Sequence, residues 1–588
     1  MSGRILKYFR VVISLLFLVT TGFLFLDFTG ILASSLINGI TWIQFVPSLV
    51  KFLNLIGFLA LGFVVVMGAT LLFGRVYCST VCPLGILQDA VSRVSRFYTT
   101  KIRGLKSLYR PKPARNLLRY SLLGVTILSF LFGSVFFLNL LDPFSVFGKI
   151  VSGLARPVYY SANNLAADIL NSFGIYTLYR VDTRQMSLLP LIFPAFMLGL
   201  IVFLSWKKGR LYCNTVCPVG SFLGLISKFA IYRIEIDKAL CTRCAECSVN
   251  CKAQCIDLKK QQIDFSRCVG CFNCVNVCSL QGIGYRNQWF RSEEKPAFSH
   301  ALSDHDAGSK QGGAPHDNDR SAKRVLKGAG SSVSDDRDSG DSCDRRVPDY
   351  GRERRRFLFR LTAYFVGFSA ASRIVNAETG SPAPRAEDAG VVVTQPSTIP
   401  EKKEQPISPP GSKGLTHFTK SCTGCQLCVS VCPTGVLQPS FLEYGFTGMM
   451  QPRLDYHASF CNFDCVKCTE VCPTGAILPL TVAQKHVVQV GVVRLELDNC
   501  VVKTEGTACG ACAEHCPTQA VRMAPYKAGL TIPEILSEHC IGCGACEYIC
   551  PTRPYRAIYV DGKKVHKEAV PPVFEELDYQ PPEDDFPF

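Results

Sequence analysis

Six stretches of this chain each crowd four cysteines into a short segment, and that pattern constrains the fold more than any other feature. Thirty cysteines are present in 588 residues. Disulfides are the usual use of such a count in a small secreted chain. Here neighbouring cysteines lie too close together to cross-link distant parts of a fold. Thiolates at this spacing suit iron–sulfur clusters, for which they are soft ligands.

The first two runs are "CTRCAECSVNC", with Cys241, Cys244, Cys247 and Cys251, and "CVGCFNCVNVC", with Cys268, Cys271, Cys274 and Cys278. Both have the Cys-x2-Cys-x2-Cys-x3-Cys spacing of a two-cluster bacterial ferredoxin. In that pattern three thiolates wrap one cluster and the fourth crosses to the other. The expected sets are Cys241, Cys244, Cys247 with Cys278, and Cys268, Cys271, Cys274 with Cys251. Zinc is the competing metal, but its sites rarely show four cysteines per run in tandem. The proline that usually follows the fourth cysteine is Lys252 in one run and Ser279 in the other. Cys255 is extra and reads as a buried thiol.

Four further runs follow. They are Cys422, Cys425, Cys428, Cys432; then Cys461, Cys465, Cys468, Cys472; then Cys500, Cys509, Cys512, Cys516; and last Cys540, Cys543, Cys546, Cys550. Each ends in Cys-Pro. The looser spacing of the middle two implies inserted loops. Spacing leaves the pairing open: the first run can share clusters with the fourth or with its neighbour. Setting aside Cys255, Cys343 and four cysteines treated next leaves 24 ligands, enough for six [4Fe–4S] clusters.

The mean hydropathy of +0.19 and the 48% hydrophobic content are high for a wholly soluble chain. Four apolar runs, near 11–32, 52–73, 117–141 and 187–206, approach the ~20 residues that cross a bilayer. Basic residues fall at Arg4, Lys7 and Arg10, from Arg93 to Arg119, and at Lys207, Lys208 and Arg210, whereas the loops 33–51 and 142–186 are poorer in them. The positive-inside rule therefore puts the N-terminus, the middle loop and the chain after Trp206 in the cytoplasm. Much of the +16 net charge is thereby explained without nucleic acid as a partner. Trp42 and Trp206 sit near the expected interfaces.

Two of these runs end in near copies of one loop, "GRVYCSTVCPLG" from Gly74 and "GRLYCNTVCPVG" from Gly209. Repetition of a two-span unit would bring Cys78, Cys82, Cys213 and Cys217 to one depth, as a redox or metal site of four thiolates. The alternative is thiols that only pack and cap the next helix. The runs hold almost no ionisable residue apart from Asp27 near a boundary, unlike an ion pathway. Every histidine lies at or after His300, so bis-histidine haem ligation within these runs is excluded.

Between the two cysteine-rich regions, residues 291–353 are rich in Ser, Gly, Asp and Arg and read as a disordered linker. At 354–378, Arg354, Arg355 and Arg356 precede Phe357, Leu358 and an apolar stretch that ends in small residues. This looks like a twin-arginine export signal inside the chain, or a fifth span if uncleaved. Glu353 stands where Ser or Thr is usual, and Arg360 interrupts the stretch. A cytoplasmic amphipathic linker helix is the alternative. A Pro-rich linker covers 379–414, the second cysteine-rich domain 415–560, and an acidic tail 561–588.

The expected fold is multi-domain: an α-helical membrane bundle (1–235), an α+β two-cluster ferredoxin on the cytoplasmic side (236–290), and an α+β four-cluster ferredoxin (415–560). Residues 1–290 resemble the NapH family of membrane ferredoxins, marked by four spans, two Cys-x3-Cys-Pro loops and a two-cluster ferredoxin. Residues 354–560 resemble the NapG/MauM family of exported four-cluster ferredoxins. The chain is similar to a fusion of the two.

That resemblance implies passage of electrons from membrane quinol to a periplasmic reductase or its cytochrome partner. The module bearing Cys78, Cys82, Cys213 and Cys217 would meet the quinol, and the exported clusters would serve the partner. How electrons cross between faces is not visible in the sequence; direct access of the exported domain to quinol would avoid the crossing. Two other readings compete. One is a maturation factor or redox sensor that uses the paired loop thiols. The other is a scaffold with structural clusters. No nucleophile–base set or phosphate-binding glycine loop of an enzyme is present.

Overall fold

The computed structural model describes residues 3–27, 32–55, 61–99, 115–181, 189–288 and 396–571. The linker 291–353, the twin-arginine-like segment 354–378 and Cys343 lie outside the described residues.

The first part is helical: α1 (Gly3–Leu26), α2 (Ser34–Trp42), α3 (Phe45–Leu55), α4 (Gly62–Phe73), α5 (Tyr77–Thr80), α6 (Pro83–Phe97), α7 (Asn116–Leu131), α8 (Phe136–Leu141), α9 (Pro143–Ile150), α10 (Arg156–Ser172), α11 (Leu189–Lys208), α12 (Leu211–Thr215) and α13 (Pro218–Ser227). Uncharged Leu, Val and Phe runs form helices readily because helices satisfy their own backbone polar groups without water. Among the described residues, only α1 and α11 are long and apolar enough to cross a membrane; α2 and α3, bent by 101°, count as a third if taken as one broken span. The expectation of four full spans is thus met only in part. Of run 52–73, α4 supplies 12 residues. Run 117–141 breaks where Gly133, at φ +77°, ends α7 after 16 residues, and the chain resumes as α8.

A π-helical turn at Val151–Ala155 joins α9 to α10. Its cause is local: Pro157 has no N–H to give the carbonyl four residues back, so the α-ladder cannot run through.

The first ferredoxin is closed by two antiparallel pairs. β1 (Tyr232–Ile236) pairs with β4 (Ile283–Asn287), with Ile234 opposite Tyr285, and β2 (Ile256–Asp257) pairs with β3 (Gln262–Ile263). The second has three such pairs: β5 (Leu437–Pro439) with β6 (Pro452–Leu454), β8 (Val521–Pro525) with β9 (Thr531–Ile535), and β7 (Val488–Leu495) with β10 (Ile558–Glu568). Strand β10 continues past residue 561. Upstream, Ser397 bonds to Tyr555, and Asp561 accepts from the amides of Glu404 and Gln405. The second ferredoxin therefore packs residues on both sides of the 415–560 delimited by its cysteines.

One apolar core joins Leu24 and Phe25 of α1, Cys78 and Cys217, the first ferredoxin's Val269 and Phe272, and Cys425 and Leu427 of the second. The rest of the second ferredoxin has its own core around Phe418, Tyr456, Val490 and Ile558.

Candidate metal centres

Each Cys-x3-Cys-Pro loop turns on a left-handed glycine, Gly74 at φ +77° and Gly209 at φ +64°. A short helix follows, α5 or α12. Cys82 and Cys217 then stand at the N-caps of α6 and α13, with Pro83 and Pro218 in the first helical turn, where a missing N–H costs nothing. The two loops clasp each other through their arginines. Arg75 donates to Gly220 O (2.7 Å) and Asn214 Oδ1 (2.6 Å) of the other loop, and Arg210 donates to Cys78 O. Both guanidinium side chains are fully buried. A Cβ on Gly85 would stand 2.3 Å from Cys78 O, and one on Gly220 2.2 Å from Cys213 O, so only glycine permits the approach.

The loops thus bring Cys78, Cys82, Cys213 and Cys217 together, each 3% exposed. Gln88 donates to Cys213 Sγ (3.2 Å) and the Gly220 amide to Cys217 Sγ (3.3 Å). Around tetrahedral zinc, sulfurs at ~2.3 Å from the metal stand only about 3.8 Å apart. Among the described residues, no three cysteine sulfurs lie within 4.8 Å of one another. As placed, the four thiols are not gathered to the spacing of a single-ion site. No disulfide occurs among the described cysteines.

Asp89 of α6 anchors this region. It meets Arg210 (2.8 Å), Arg10 of α1 (3.0 Å) and Lys252 of the first ferredoxin (3.4 Å), and these cations hold its carboxyl well below the usual carboxylate range. Arg119 is likewise buried, donating to Ser266 O (2.9 Å). From sequence, Arg10, Arg119 and Arg210 read only as topology signals, and Arg75 and Asp89 carried no reading. The shared Gly-Arg-x-Tyr-Cys of the two loops could have found Arg75 and Arg210; Arg10, Asp89 and Arg119 lie outside it.

The ferredoxin cysteines gather as follows. Cys241, Cys244, Cys247 and Cys278 line a cavity of about 420 Å³, mouth included. Cys274 has Cys251, Cys268 and Cys271 as its charged neighbours. In the second ferredoxin, Cys422, Cys425 and Cys428 share a cavity with Cys472 (about 300 Å³), Cys461, Cys465 and Cys468 with Cys432 (about 340 Å³), and Cys500, Cys509 and Cys512 with Cys550 (about 370 Å³). Cys516 joins Cys540, Cys543 and Cys546. So the first run pairs with the second and the third with the fourth, each through an exchanged last cysteine. Four-thiol cavities of this kind fit [4Fe–4S] ligation. Burial pushes Cys425 and Cys543 up to about 12, so without a bound cation these thiols stay neutral.

Threonine follows each Cys-Pro of the second ferredoxin, and its hydroxyl lies near the cysteine sulfur, from 3.2 Å at Cys550–Thr552 to 3.8 Å at Cys516–Thr518. Hydrogen bonds to ligand sulfur tune cluster potential. The repeated Cys-Pro-Thr was legible in the sequence but carried no reading there. Cys255 is buried, its sulfur 3.6 Å from Cys251 Sγ. Elsewhere, Glu401, His457 and Glu547 approach one another, but Lys403 already pairs with both carboxylates, so this is an ion-pair knot that fastens the upstream segment.

The two ferredoxins dock at different ends of the helical core. Near Arg10, Asp89 reaches Lys252, and Arg75 donates to Cys268 O (3.2 Å). Near Phe25, which packs on Phe144 and Phe147, Gly148 lies against Cys425 O. Asn139 donates to Met449 O (2.6 Å), Arg156 to Val429 O and Ser430 O, and Asn54 to Thr474 O (2.8 Å). Arg10 and Phe25 are separated by about 22 Å of helix at 1.5 Å per residue. The loop thiols lie between, because Tyr212 reaches Leu141 O (3.3 Å) on one side and Arg75 reaches Cys268 on the other.

Comparison with known proteins agrees on the iron–sulfur character. A "4Fe-4S binding domain" model matches residues 55–101 and 189–233, which contain the two Cys-x3-Cys-Pro loops. "4Fe-4S dicluster domain" models match 421–477 and 507–553, the same run pairs that the fold brings together. "Uncharacterized protein MJ0749" of Methanocaldococcus jannaschii is 32% identical over 15% of this chain and 35% of its own length. The Escherichia coli K12 protein named "Putative electron transport protein YccM" is 24% identical over 36% of this chain and 50% of its own. "Uncharacterized protein MJ0750" of M. jannaschii is 23% identical over 39% of this chain and 79% of its own. The chain thus spans about a third and a half of the first two relatives. No solved structure matches. The chain carries multiple ferredoxin-type 4Fe-4S domains with a helical N-terminal region, and iron–sulfur electron transfer is the activity these features support.

Proposed function

We propose that this chain is a membrane-bound electron-transfer protein that carries electrons from quinol, or from a cytoplasmic donor, to a periplasmic reductase or its cytochrome partner, as a fusion of NapH-like and NapG-like ferredoxins. The observation that carries this reading is the attachment of two ferredoxins at ends of one helical core about 22 Å apart along α1, with four buried thiols between them. Six [4Fe–4S] clusters on the ferredoxin cysteines, with a further centre on Cys78, Cys82, Cys213 and Cys217, supply one-electron carriers along that line.

The chain's own residues do the rest. Arg75 and Arg210 lock the loops, and their positive charge beside Cys213 offsets only part of the burial that pushes that thiol up. Asp89 ties the first ferredoxin to that site. Gly148 lets Cys425 approach the core, since any Cβ there would strike its carbonyl at 2.2 Å. Burial of all four loop thiols also disfavours thiol exchange with a partner, which needs an accessible sulfur. Export directed by residues 354–378 would put the second ferredoxin in the periplasm and leave the first in the cytoplasm.

The test has two arms. Protease added outside intact spheroplasts should digest 415–560 and spare 236–290. In the anaerobic purified protein, a hydroquinone or a reduced cytoplasmic ferredoxin should reduce the clusters within seconds. Protection of 415–560 would overturn the topology. Failure of both donors would overturn the transfer function.

A further inference from the structure

A crevice lies where α9, the π-turn and the start of α11 meet the second ferredoxin. Its walls are largely apolar, with Leu191, Pro194 and Gly153 on the helical side and Met450 and Val429 on the ferredoxin side. The space between its walls is about 390 Å³ when the open solvent at its mouth is counted, and only about 20 Å³ of it is enclosed. Four polar side chains line it; Ser152 and Gln438 donate to the backbone at Gly148 O and Gly435 O, and Lys149 and Gln426 are the two with capacity left over. Gln426 is 2% exposed, and its Nε2 donates to Met450 O, which fixes the amide orientation; its Oε1 is buried and has no hydrogen-bond partner. An orphaned buried acceptor is costly unless something donates to it. Lys149 gives two N–H groups to Asn139, at 2.5 and 2.6 Å, and its ammonium also faces the Phe193 ring, 5.1 Å from the centroid, so its third N–H is the one left for a further acceptor. Gln426 is the residue after Cys425, in the left-handed conformation (φ +68°) that Ala245, Phe272 and Gly544 also take after the second cysteine of their runs. The π-turn is an irregularity of the kind found at functional sites.

The occupant must therefore be flat or slender, largely apolar, able to donate one hydrogen bond and accept another, and able to arrive along α11. That helix is one of the two long enough to cross a membrane, and beside the crevice it exposes Ile192 and Phe196. We propose that the crevice binds the head of a lipid-soluble hydroquinone, its hydroxyl donating to Gln426 Oε1 and accepting from Lys149 Nζ, with its tail along α11. This inference rests on the quinol reading above and gives that reading a site. It moves the quinol from the paired loops to the junction beside Cys425. Oxidation of the hydroquinone to the quinone gives up two electrons and two protons; a cluster held on Cys422, Cys425, Cys428 and Cys472 would be the one-electron acceptor, and the protons would go to water.

The test uses the full-length protein in lipid nanodiscs with a photoreactive azidoquinone, and maps the labelled peptides. The expected label falls within the crevice walls, at 149–153, 190–194, 426–429, 438–439 or 450. Gly153→Leu fills the crevice without touching a cysteine; a Cβ there meets only Pro194 and Leu191 at ordinary contact, 3.4 and 3.6 Å. It should weaken labelling at least tenfold, while dithionite still reduces the same number of clusters. Gln426→Met removes the acceptor and should weaken labelling about tenfold, the value of one hydrogen bond near 1.4 kcal/mol. If hydroquinone reduces the wild-type clusters but the label falls elsewhere, or both variants label like wild type, this site is wrong while the quinol reading stands. If hydroquinone neither labels the protein nor reduces it, the quinol reading falls with it.

Discussion

Replacing Asp89 by Asn tests the docking of the first ferredoxin on the paired loops. The substitution keeps the side-chain volume and removes one negative charge that faces three cations, Arg10, Arg210 and Lys252, whose side chains are 6, 0 and 6% exposed. Removing one partner of a buried ion pair typically costs ~3–5 kcal/mol, because the remaining charge stays buried without a counter-ion. The structure supplies a local reporter, since the Arg210 amide donates to Lys252 O across the same junction (3.1 Å). If local opening of that junction controls exchange, its hydrogen–deuterium exchange should be on the order of 10²–10³ times faster in Asp89→Asn. Lys252→Met, which leaves Asp89 two partners, should have a smaller effect, and in the double variant the two should not add. The pH dependence has a definite sign. With its folded pKa depressed, Asp89 contributes fully above the unfolded value of about 3.9 and loses that contribution as pH falls through the folded value. The gap between the two proteins should hold from pH 8 to 5 and narrow only in stronger acid. Exchange at Arg210 within about threefold of wild type would refute the argument.

Gly85→Ala and Gly220→Ala should each destabilise the loop pair by ~1–3 kcal/mol or more through overpacking against a backbone carbonyl, whereas Gly124→Ala, with open space around it, should be neutral or stabilising by ~0.5–1 kcal/mol in denaturation assays. Cys472→Ala should abolish the EPR signal of the cluster expected on Cys422, Cys425 and Cys428 and spare that on Cys461, Cys465 and Cys468; the reverse pattern would show the exchange of last cysteines to be misassigned. Burial holds His566, beside Ser408 Oγ at 2.9 Å, down to about 4. The unfolded chain therefore binds its proton first, and stability should fall as pH drops from about 6.5 towards 4. His566→Gln should flatten that slope in the second ferredoxin's denaturation midpoint, and an unchanged slope would exclude His566 as its source.

The sequence by itself marked the cysteine runs as candidate iron ligands, because three of the four thiols of each set sit within about a dozen residues and short-range spacing is all that a cluster's wrapping loop needs. It also marked the paired loops and their glycines through plain repetition. Only the tertiary structure decided which runs exchange their last cysteine, since that fourth thiol arrives from a distant segment and carries no spacing signal of its own. The same holds for the arginines. Arg10, Arg119 and Arg210 look like ordinary membrane-flanking charges in the sequence, yet each is buried, and their partners lie 79, 147 and 121 positions away. The apolar runs behaved likewise: composition announced four, but Gly133 ends α7 inside one of them, while the bent pair α2 and α3 forms largely in a stretch that read as a loop, and helix length depends on where the chain turns, which tertiary packing sets. The crevice beside Cys425 is the extreme case. Lys149 and Gln426 lie far apart in the chain, and neither is legible as a site until α9 and the second ferredoxin meet.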